Sequence, residues 1–547
     1  ILLMARAEPY TVACEGGLVT ASNQIDLLRS PGSAIELQNF EISVEGGYRR
    51  INGFSKFGGT SATLPTGSAS TIQGIIPYAD GVIVCASTNI YFSNDGVNWL
   101  QINRSSVATS GDNHTTFTGR SLLSRTNQGQ VQFALFEGPN YQYGQLVIAD
   151  ENNKPYSYRM EGSGALASRT FFSEEITVSG TKGVQFITHH DRHLIAAGVE
   201  DNLSTVYYSA LLDPTDFSGS CSASVTITDQ IVGLASFRAD LFIFCKNSIH
   251  KLININTPST TAVVPVAESV GCLSGYSIQE IAGDLIFLAP DGVRTVAGTS
   301  RIGDVELSSI SKQIQPLIQD IARKINTFTI SSVVIGDRSQ YRLFYVNEGA
   351  DTVANSRGII GTLRPGSTSN PNAGFQWSET LGIQAPSITA GFNADGLEQY
   401  FHGDLSGKVF KHDEGSDFDG ANVTAVYQTP DIDYGDLGTL KTLHFMKISF
   451  GPEGEVIPIL RVRYNYDDVN HPQPADITLD RIPPPSIFGL STAVFGTAVF
   501  GATEKPLVRQ QLQGSGHSNM FRFRSDDTRS PYTINGFFID YVPSGRR

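Results

Sequence analysis

The sequence is poor in cysteine, methionine, tryptophan and charge, and each shortage excludes something. Its five cysteines, Cys14, Cys85, Cys221, Cys245 and Cys272, are odd in number, widely spaced and free of any CxxC pair. Neither a disulfide framework nor a cysteine-ligated metal site is written into such spacing, and free, mostly buried thiols in a reducing compartment are the expectation. No apolar run approaches the roughly 18 residues that a membrane-spanning helix needs. The opening Ile-Leu-Leu-Met is too short for the apolar core of a signal peptide, and Met4 reads as an alternative start. Charged residues make up 17% of the chain, against a globular norm of about 25%. Even so, the 547 residues carry a formal net charge of −14, which argues against a protein that coats nucleic acid by neutralising phosphates. The same sign suits a conduit, because an acidic wall repels phosphate and keeps a passing polyanion from sticking.

What the sequence has instead is glycine, proline and aromatics: 54 Gly, 25 Pro, 31 Phe and 20 Tyr against 4 Met. Turn-formers and aromatics in that proportion point to an all-β chain, since aromatic and β-branched side chains suit pleated, half-buried surfaces. A length of 547 residues predicts two or three domains.

Through the middle of the chain a short apolar run, a tight turn and a second apolar run recur, as in GVIVCASTNIYFSNDG, DLFIFCKNSIHKL, GDLIFLAPDGVRTVAG and EQYFHGDLSGKVFKHDEG. Each reads as a β-hairpin with Asn, Asp or Gly in the turn. The first run is nearly all apolar, which predicts burial on both faces. Hairpins repeating every few tens of residues without helices between them predict the radial blades of a β-propeller, five to seven in number, over residues 61–420. An array of β-sandwiches is the competing architecture.

Three segments stand out from this pattern. In residues 306–328 Leu307, Ile310, Ile314, Leu317, Ile318, Ile321 and Ile325 fall three and four apart, predicting one helix near 307–325, packed on the side of the propeller or used as a subunit contact. Residues 421–547 carry longer strands. There the alternation in ILRVRYNY and MFRFRS puts Arg461, Arg463, Arg522 and Arg524 on one polar face. That face is either solvated or a docking platform, and the region predicts a second, sandwich-like β-domain joined by an N-terminal arm, residues 1–60. Between those strands, residues 486–503 hold Phe488, Phe495 and Phe500 among glycines, with Ala-Val-Phe-Gly repeated. A loop of this kind cannot bury its phenylalanines within itself and is expected to dock on its own domain or a neighbour.

Catalytic signatures are scarce. There is no G-x-S-x-G, no G-x-x-x-x-G-K-[ST] and no H-E-x-x-H. His189, Asp191 and His193 stand at i, i+2, i+4, a spacing that on one strand could present three metal ligands, yet no fourth is evident and no metal or cofactor is called for. A glycosidase needs two carboxylates about 5 to 10 Å apart. Asp213, Asp216, Asp404 and Asp413 are acidic candidates, but aspartate in hairpin turns is expected anyway. Ser93 to Trp99, SNDGVNW, is one residue short of the Asp-box turn of sialidase-like propellers. That turn caps a hairpin and says little about catalysis.

The N-terminal stretch, residues 15–58, carries Gly16 and Gly17, Pro31 and Gly32, Asn39, and then EGGYRRINGF over Glu45 to Phe54. It resembles the opening of tail nozzle (tail tubular) proteins of short-tailed bacteriophages and is similar to the related packaged-DNA stabilisation proteins. The ending, with Gly514, Gly516, Tyr541, Gly545 and Arg546, looks like the close of such chains. The match covers both ends, and the middle only as a propeller pattern. What the resemblance implies is a structural virion protein without enzymatic activity: a homohexameric tube of the phage tail, assembled in the host cytoplasm beneath portal and adaptor rings, alongside tail fibre proteins. Double-stranded viral DNA is retained in its lumen and leaves through it without sequence-specific binding. The resemblance also implies docking on an adaptor or a neighbouring subunit through Tyr48, Arg49, Arg50, Phe54, Arg546 and Arg547, the arginines offering forked donors to carboxylates and the glycines a close backbone approach. A solvated β-turn is the plainer reading of the same residues. A propeller glycosidase and a receptor-binding, lectin-like propeller are the rival functions.

Overall fold

In a computed structural model the described residues are 8–102, 129–136, 143–166, 169–180, 183–218, 222–257, 260–297, 309–364, 374–392, 396–479 and 507–546. The chain is all-β, and six small sheets are arranged as the blades of a β-propeller, with further sheets beside them. The first blade runs through Ile72–Tyr78, Gly81–Ala86, Asn89–Ser93 and Leu100–Gln101, and three more four-stranded blades follow in chain order to Ala267. The fifth has three strands, Gln279–Ile281, Asp284–Ala289 and Gly292–Thr295. The sixth joins Ser387–Phe392, Glu398–Gly403 and Val409–His412 to Phe54–Lys56, a strand from near the start of the chain. The N-terminal segment therefore closes the last blade.

The apolar hairpin runs of the sequence are mostly the second strands of blades. Gly81–Ala86, His193–Val199, Asp240–Cys245 and Asp284–Ala289 are buried almost end to end. The physical reason is position: a blade's second strand is covered by a neighbouring blade on each face. Separate apolar clusters fill the spaces between successive blades, for example Ile83, Phe92, Ile148 and Tyr158 between the first and second, and Phe244, Ile249, Leu285 and Phe287 between the fourth and fifth.

The run SQYRLFYVNEGADTVANSRGIIGTLRP also reads as a hairpin within the span expected for the propeller, but it belongs elsewhere. Gln340–Val346 and Arg357–Arg364 sit in a nine-stranded sheet that begins at Thr329–Ile335 and continues through Gly374–Leu381, Glu36–Gln38, Val423–Gln428, Asn519–Asp527, Ile459–Tyr464 and Ile477–Thr478. The edge strand Thr329–Ile335 lies between the fifth and sixth blades, touching Gln279–Ile281 on one side and Ser387–Phe392 on the other. It fills the ring's remaining sector. The far end of the same sheet packs on a seven-stranded sheet in which Glu8–Ala13 runs antiparallel to Tyr532–Arg546, from Glu8 opposite Tyr541 to Ala13 opposite Gly536. Tyr532–Arg546 also pairs along nearly all of Thr439–Pro452. Phe537 of this sheet meets Phe521 and Phe523 of the larger one at ring-centre distances of 5.4 and 5.8 Å. Both ends of the described chain thus lie side by side in one sheet, and the propeller is joined to the sandwich by continuous hydrogen-bonded strands.

The helical segment is shorter than its sequence pattern. One α-helix, Gln315–Arg323, is flanked by single 3-10 turns at Lys312–Ile314 and Ile325–Thr327. Pro316 in its first turn suits an N-terminus. Ile314, Ile318 and Ile321 are buried in a core shared with Ile286 and Leu288 of the fifth blade and with Tyr341 and Trp377 of the nine-stranded sheet. The helix wedges these together. Leu307 lies outside the described residues.

Candidate functional site

Among the described residues polar side chains concentrate in a cavity on the propeller axis, in an ion-paired seam between propeller and sandwich, and on an arginine–carboxylate face of the nine-stranded sheet. The seam is built around Glu41, on the strand Phe40–Ile42. Its carboxylate accepts from Arg49 at 2.7 Å, Arg338 at 3.0 Å, Arg342 at 3.1 Å and Gln340 at 3.2 Å. Asp413 accepts from Arg338 at 2.9 Å and Arg342 at 3.0 Å. The side chains of Glu41 and Arg342 are only 2% and 1% exposed. Burial pushes the Glu41 carboxyl up, but Arg338, Arg342 and Arg49 together outweigh it and hold the group below its ordinary range. His412 Nε2 lies 3.0 Å from Arg342, and its Nδ1 lies 3.3 Å from Nδ1 of His402. Burial drives both imidazoles toward the neutral form. His402 is lowered to about 3. His412 is held well below its usual value by burial, with the charges of His402, Arg342 and Arg338 adding to the effect.

The docking residues read from EGGYRRINGF fall largely inside this architecture. Tyr48–Arg50 is a strand of the seven-stranded sheet, pairing with Phe40–Ile42 and with Thr533 and Ile534. Gly47 has φ +86°, and a Cβ there would stand 2.5 Å from the Ile534 carbonyl, so a side chain is excluded at this turn. Tyr48 is buried, its hydroxyl accepting from the Gly17 amide and donating to the Gly32 carbonyl. Arg50 is buried against Asp527 at 2.7 Å. Phe54 is buried among His402, Phe410 and Phe418. The expectation of an external dock is corrected for these three: the guanidinium fork does meet a carboxylate, but one from 477 positions along the same chain. Arg49 keeps part of its side chain in solvent and also grips Glu453 through two parallel bonds of 2.5 and 2.7 Å. The backbone of Arg546 pairs with Thr439. Arg547, Phe488, Phe495 and Phe500 lie outside the described residues.

The polar face of the second domain is interleaved with acids. Arg461 and Arg522 are cross-strand neighbours, and like charges so placed repel. Asp476 grips Arg461 through bonds of 2.7 and 2.9 Å, and Glu36 takes Arg522 at 3.0 Å. Arg524 meets Asp526 at 2.8 Å and Arg463 meets Asp467 at 3.3 Å. The hydrogen bond from Arg461 is the main reason that the Asp476 carboxyl is lowered.

The three residues spaced for a metal do not share a strand. Asp191 and Arg192 form a two-residue turn, with φ of 44° and 67°, between Val184–His190 and His193–Val199. His193 is then buried between the Ser209 carbonyl and Asn256, whereas His189 packs on Phe136. Among the described residues, no three His, Cys, Asp or Glu side chains converge as metal ligands. The turn at Ser93 to Trp99 is a hairpin cap. Asp95 Oδ1 accepts from the amides of Val97 and Asn98 at 2.8 Å each, and the Trp99 indole donates to the Thr63 carbonyl. Asp95→Ala is expected to cost about 1 to 2 kcal/mol in urea unfolding, the range for losing partners of backbone amides.

The axial cavity measures about 310 Å³ and is lined by the innermost strands of the blades and by Ser331 and Ser332 of the nine-stranded sheet. No ionisable side chain lines it among the described residues apart from the Tyr276 phenol; the rest are glutamines, serines, threonines and apolar groups. The acidic candidates are elsewhere. Asp213, Asp216 and Asp404 cap turns by accepting from the amides of Thr215, Ser218 and Lys408, and Asp413 belongs to the seam. Sequence spacing could not reveal the cavity, because its lining comes from strands more than 300 residues apart.

No protein-family model matches the sequence, and no curated protein matches it. Among solved structures the chain is similar to the extracellular domain of a putative hybrid two-component system from B. thetaiotaomicron, at 10% identity and a TM-score of 0.35, covering 66% of this chain and 39% of that one. It is also similar to an exo-β-1,3-galactanase from Phanerochaete chrysosporium, at 10% identity and a TM-score of 0.26 over 92% and 100% of the two chains. An ancestral GH74 enzyme gives 10% identity and a TM-score of 0.39 over 70% and 51%. The chain spans well under half of the first of these. Likeness at such scores carries no argument about activity.

Proposed function

We propose that the chain is a non-catalytic structural subunit of the phage tail-nozzle class, acting as a homohexamer below adaptor and portal rings. The observation that carries this reading is the pairing of Glu8–Ala13 along Tyr532–Arg546, which ties both ends of the described chain into one sheet of the sandwich. A subunit that must hold its place in a ring gains from strands near both ends paired in register over six residue pairs, because each pair adds backbone hydrogen bonding against local opening. A cavity of about 310 Å³ is far too small for a duplex. The DNA path in this reading therefore lies between subunits, and six copies of a chain at −14 would keep a polyanion centred.

The absence of carboxylates from the cavity lining, among the described residues, is the reason for preferring this reading to a propeller glycosidase. Electron microscopy of the purified protein, alone and mixed with its adaptor, is the test. Sixfold rings at one end of a portal assembly are the expected result. A particle that stays monomeric and never joins that assembly would sink the proposal.

A further inference from the structure

We infer that the axial cavity binds a small neutral polyhydroxylated molecule the size of one sugar ring. Its volume of about 310 Å³ sits at the lower end for small-molecule sites and equals that of about ten liquid waters. The chemistry of the walls narrows the ligand. Among the described residues no counter-charge lines the site, so an ionic ligand would lose its hydration without compensation there, and an apolar one would leave amides and hydroxyls unpaired. A polyol, each of whose hydroxyls both donates and accepts, meets neither penalty.

The walls are also held in place before any ligand arrives. Gln130 Nε2 donates to the Ile330 carbonyl at 2.7 Å, and Gln279 Nε2 donates to the Ser332 carbonyl at 3.0 Å. The Tyr276 hydroxyl donates to the Gln130 carbonyl at 3.1 Å, and Gln132 Oε1 accepts from the Ile187 amide at 3.2 Å. The bond from Ile187 ties two neighbouring blades together, those to Ile330 and Ser332 tie the ring to the strand Thr329–Ile335, and that from Tyr276 reaches across the ring; together they fix the amide planes. They use one end of each glutamine. The other ends, Gln130 Oε1, Gln279 Oε1 and Gln132 Nε2, have no partner among the described residues, and all three side chains belong to the cavity lining. Two acceptors and one two-proton donor, two of them on the strands Gln132–Phe136 and Gln279–Ile281 and the third held by the bonds of Gln130 to the Ile330 and Pro386 carbonyls, form a preorganised polar site, in which little side-chain entropy remains to be lost on binding. The inference is independent of the nozzle reading, since it holds whether or not the chain joins a ring.

The test is saturation-transfer NMR and calorimetric titration of the full chain with glucose, galactose, mannose and N-acetylglucosamine, against glucuronate and glucose 6-phosphate as charged counterparts. At least one neutral sugar is expected to bind, with its charged counterpart at least tenfold weaker. Thr188→Phe, which fills the cavity, and Gln132→Glu, which places a charge in it, should each weaken that binding tenfold or more. Circular dichroism checks that both variants fold, and Gln132→Leu replaces whichever does not. No transfer to any neutral sugar, or binding that all folded variants leave unchanged, overturns the inference and leaves a water-filled axis. Neither result bears on whether sixfold rings form.

Discussion

Glu41→Gln is expected to lower the unfolding free energy by about 3 to 5 kcal/mol, the cost of removing one partner from a buried ion pair. The substitution keeps the shape of the side chain and deletes only its charge. Arg49, Arg338 and Arg342 then converge on a neutral amide, and Arg342, 1% exposed, has no solvent to turn to. Glu453→Gln is the control. It removes a second carboxylate from the same Arg49, but that carboxylate is 44% exposed, so a loss below about 1 kcal/mol is expected. Urea unfolding of the two variants beside the parent decides the matter. Equal losses would mean that burial does not set the worth of these pairs and that the seam is not a keystone of the fold.

Acid is expected to destabilise the chain well above the pH at which carboxylates titrate. His402 and His412 have folded values depressed by burial, so below about 6.5 the unfolded chain takes up protons that the folded chain refuses. Their contribution is complete above the unfolded value and is lost as pH falls toward the folded one. Each histidine costs about 1.4 kcal/mol per pH unit in that window, and the pair about 2.7. His190, lowered chiefly by burial, works in the same direction. Below about 4.5 Glu41 joins them, because its lowered carboxyl also binds protons more readily in the unfolded chain. Urea midpoints measured between pH 7 and 5 give the slope. His402→Phe should remove about half of what the pair contributes, since a phenyl ring can keep the packing on Phe54 and Phe410 without the proton. Parallel pH profiles for variant and parent would overturn this account.

Much of the architecture follows from local pattern. Runs such as Asp240–Cys245 are apolar on both faces because blades cover them on both sides, and their turns carry Asn, Asp and Gly because the backbone there reaches positive φ, as at Asp191, and in other residue types at Ser87 and Arg238. Those are short-range constraints, so periodicity exposes them. The helix pattern overshot for a related reason: the apolar spacing continues into the single turns at Lys312–Ile314 and Ile325–Thr327, where it serves packing without α-helical hydrogen bonds.

The seam and the cavity were not legible in this way. Nothing near Glu41 in the sequence indicates Arg342 or Asp413, and nothing near Gln130 indicates Ile330. In the same way, the residues around Arg50 suggested a clamp on carboxylates but could not reveal that Asp527 supplies one internally. The sequence by itself determined which segments are strands, where they turn and that the chain is acidic, because these depend on neighbours a few positions apart. Only the tertiary structure decided which charges are buried together, which arginines are already matched and what lines the axis, because desolvation and ion pairing depend on distances through space that chain order does not encode.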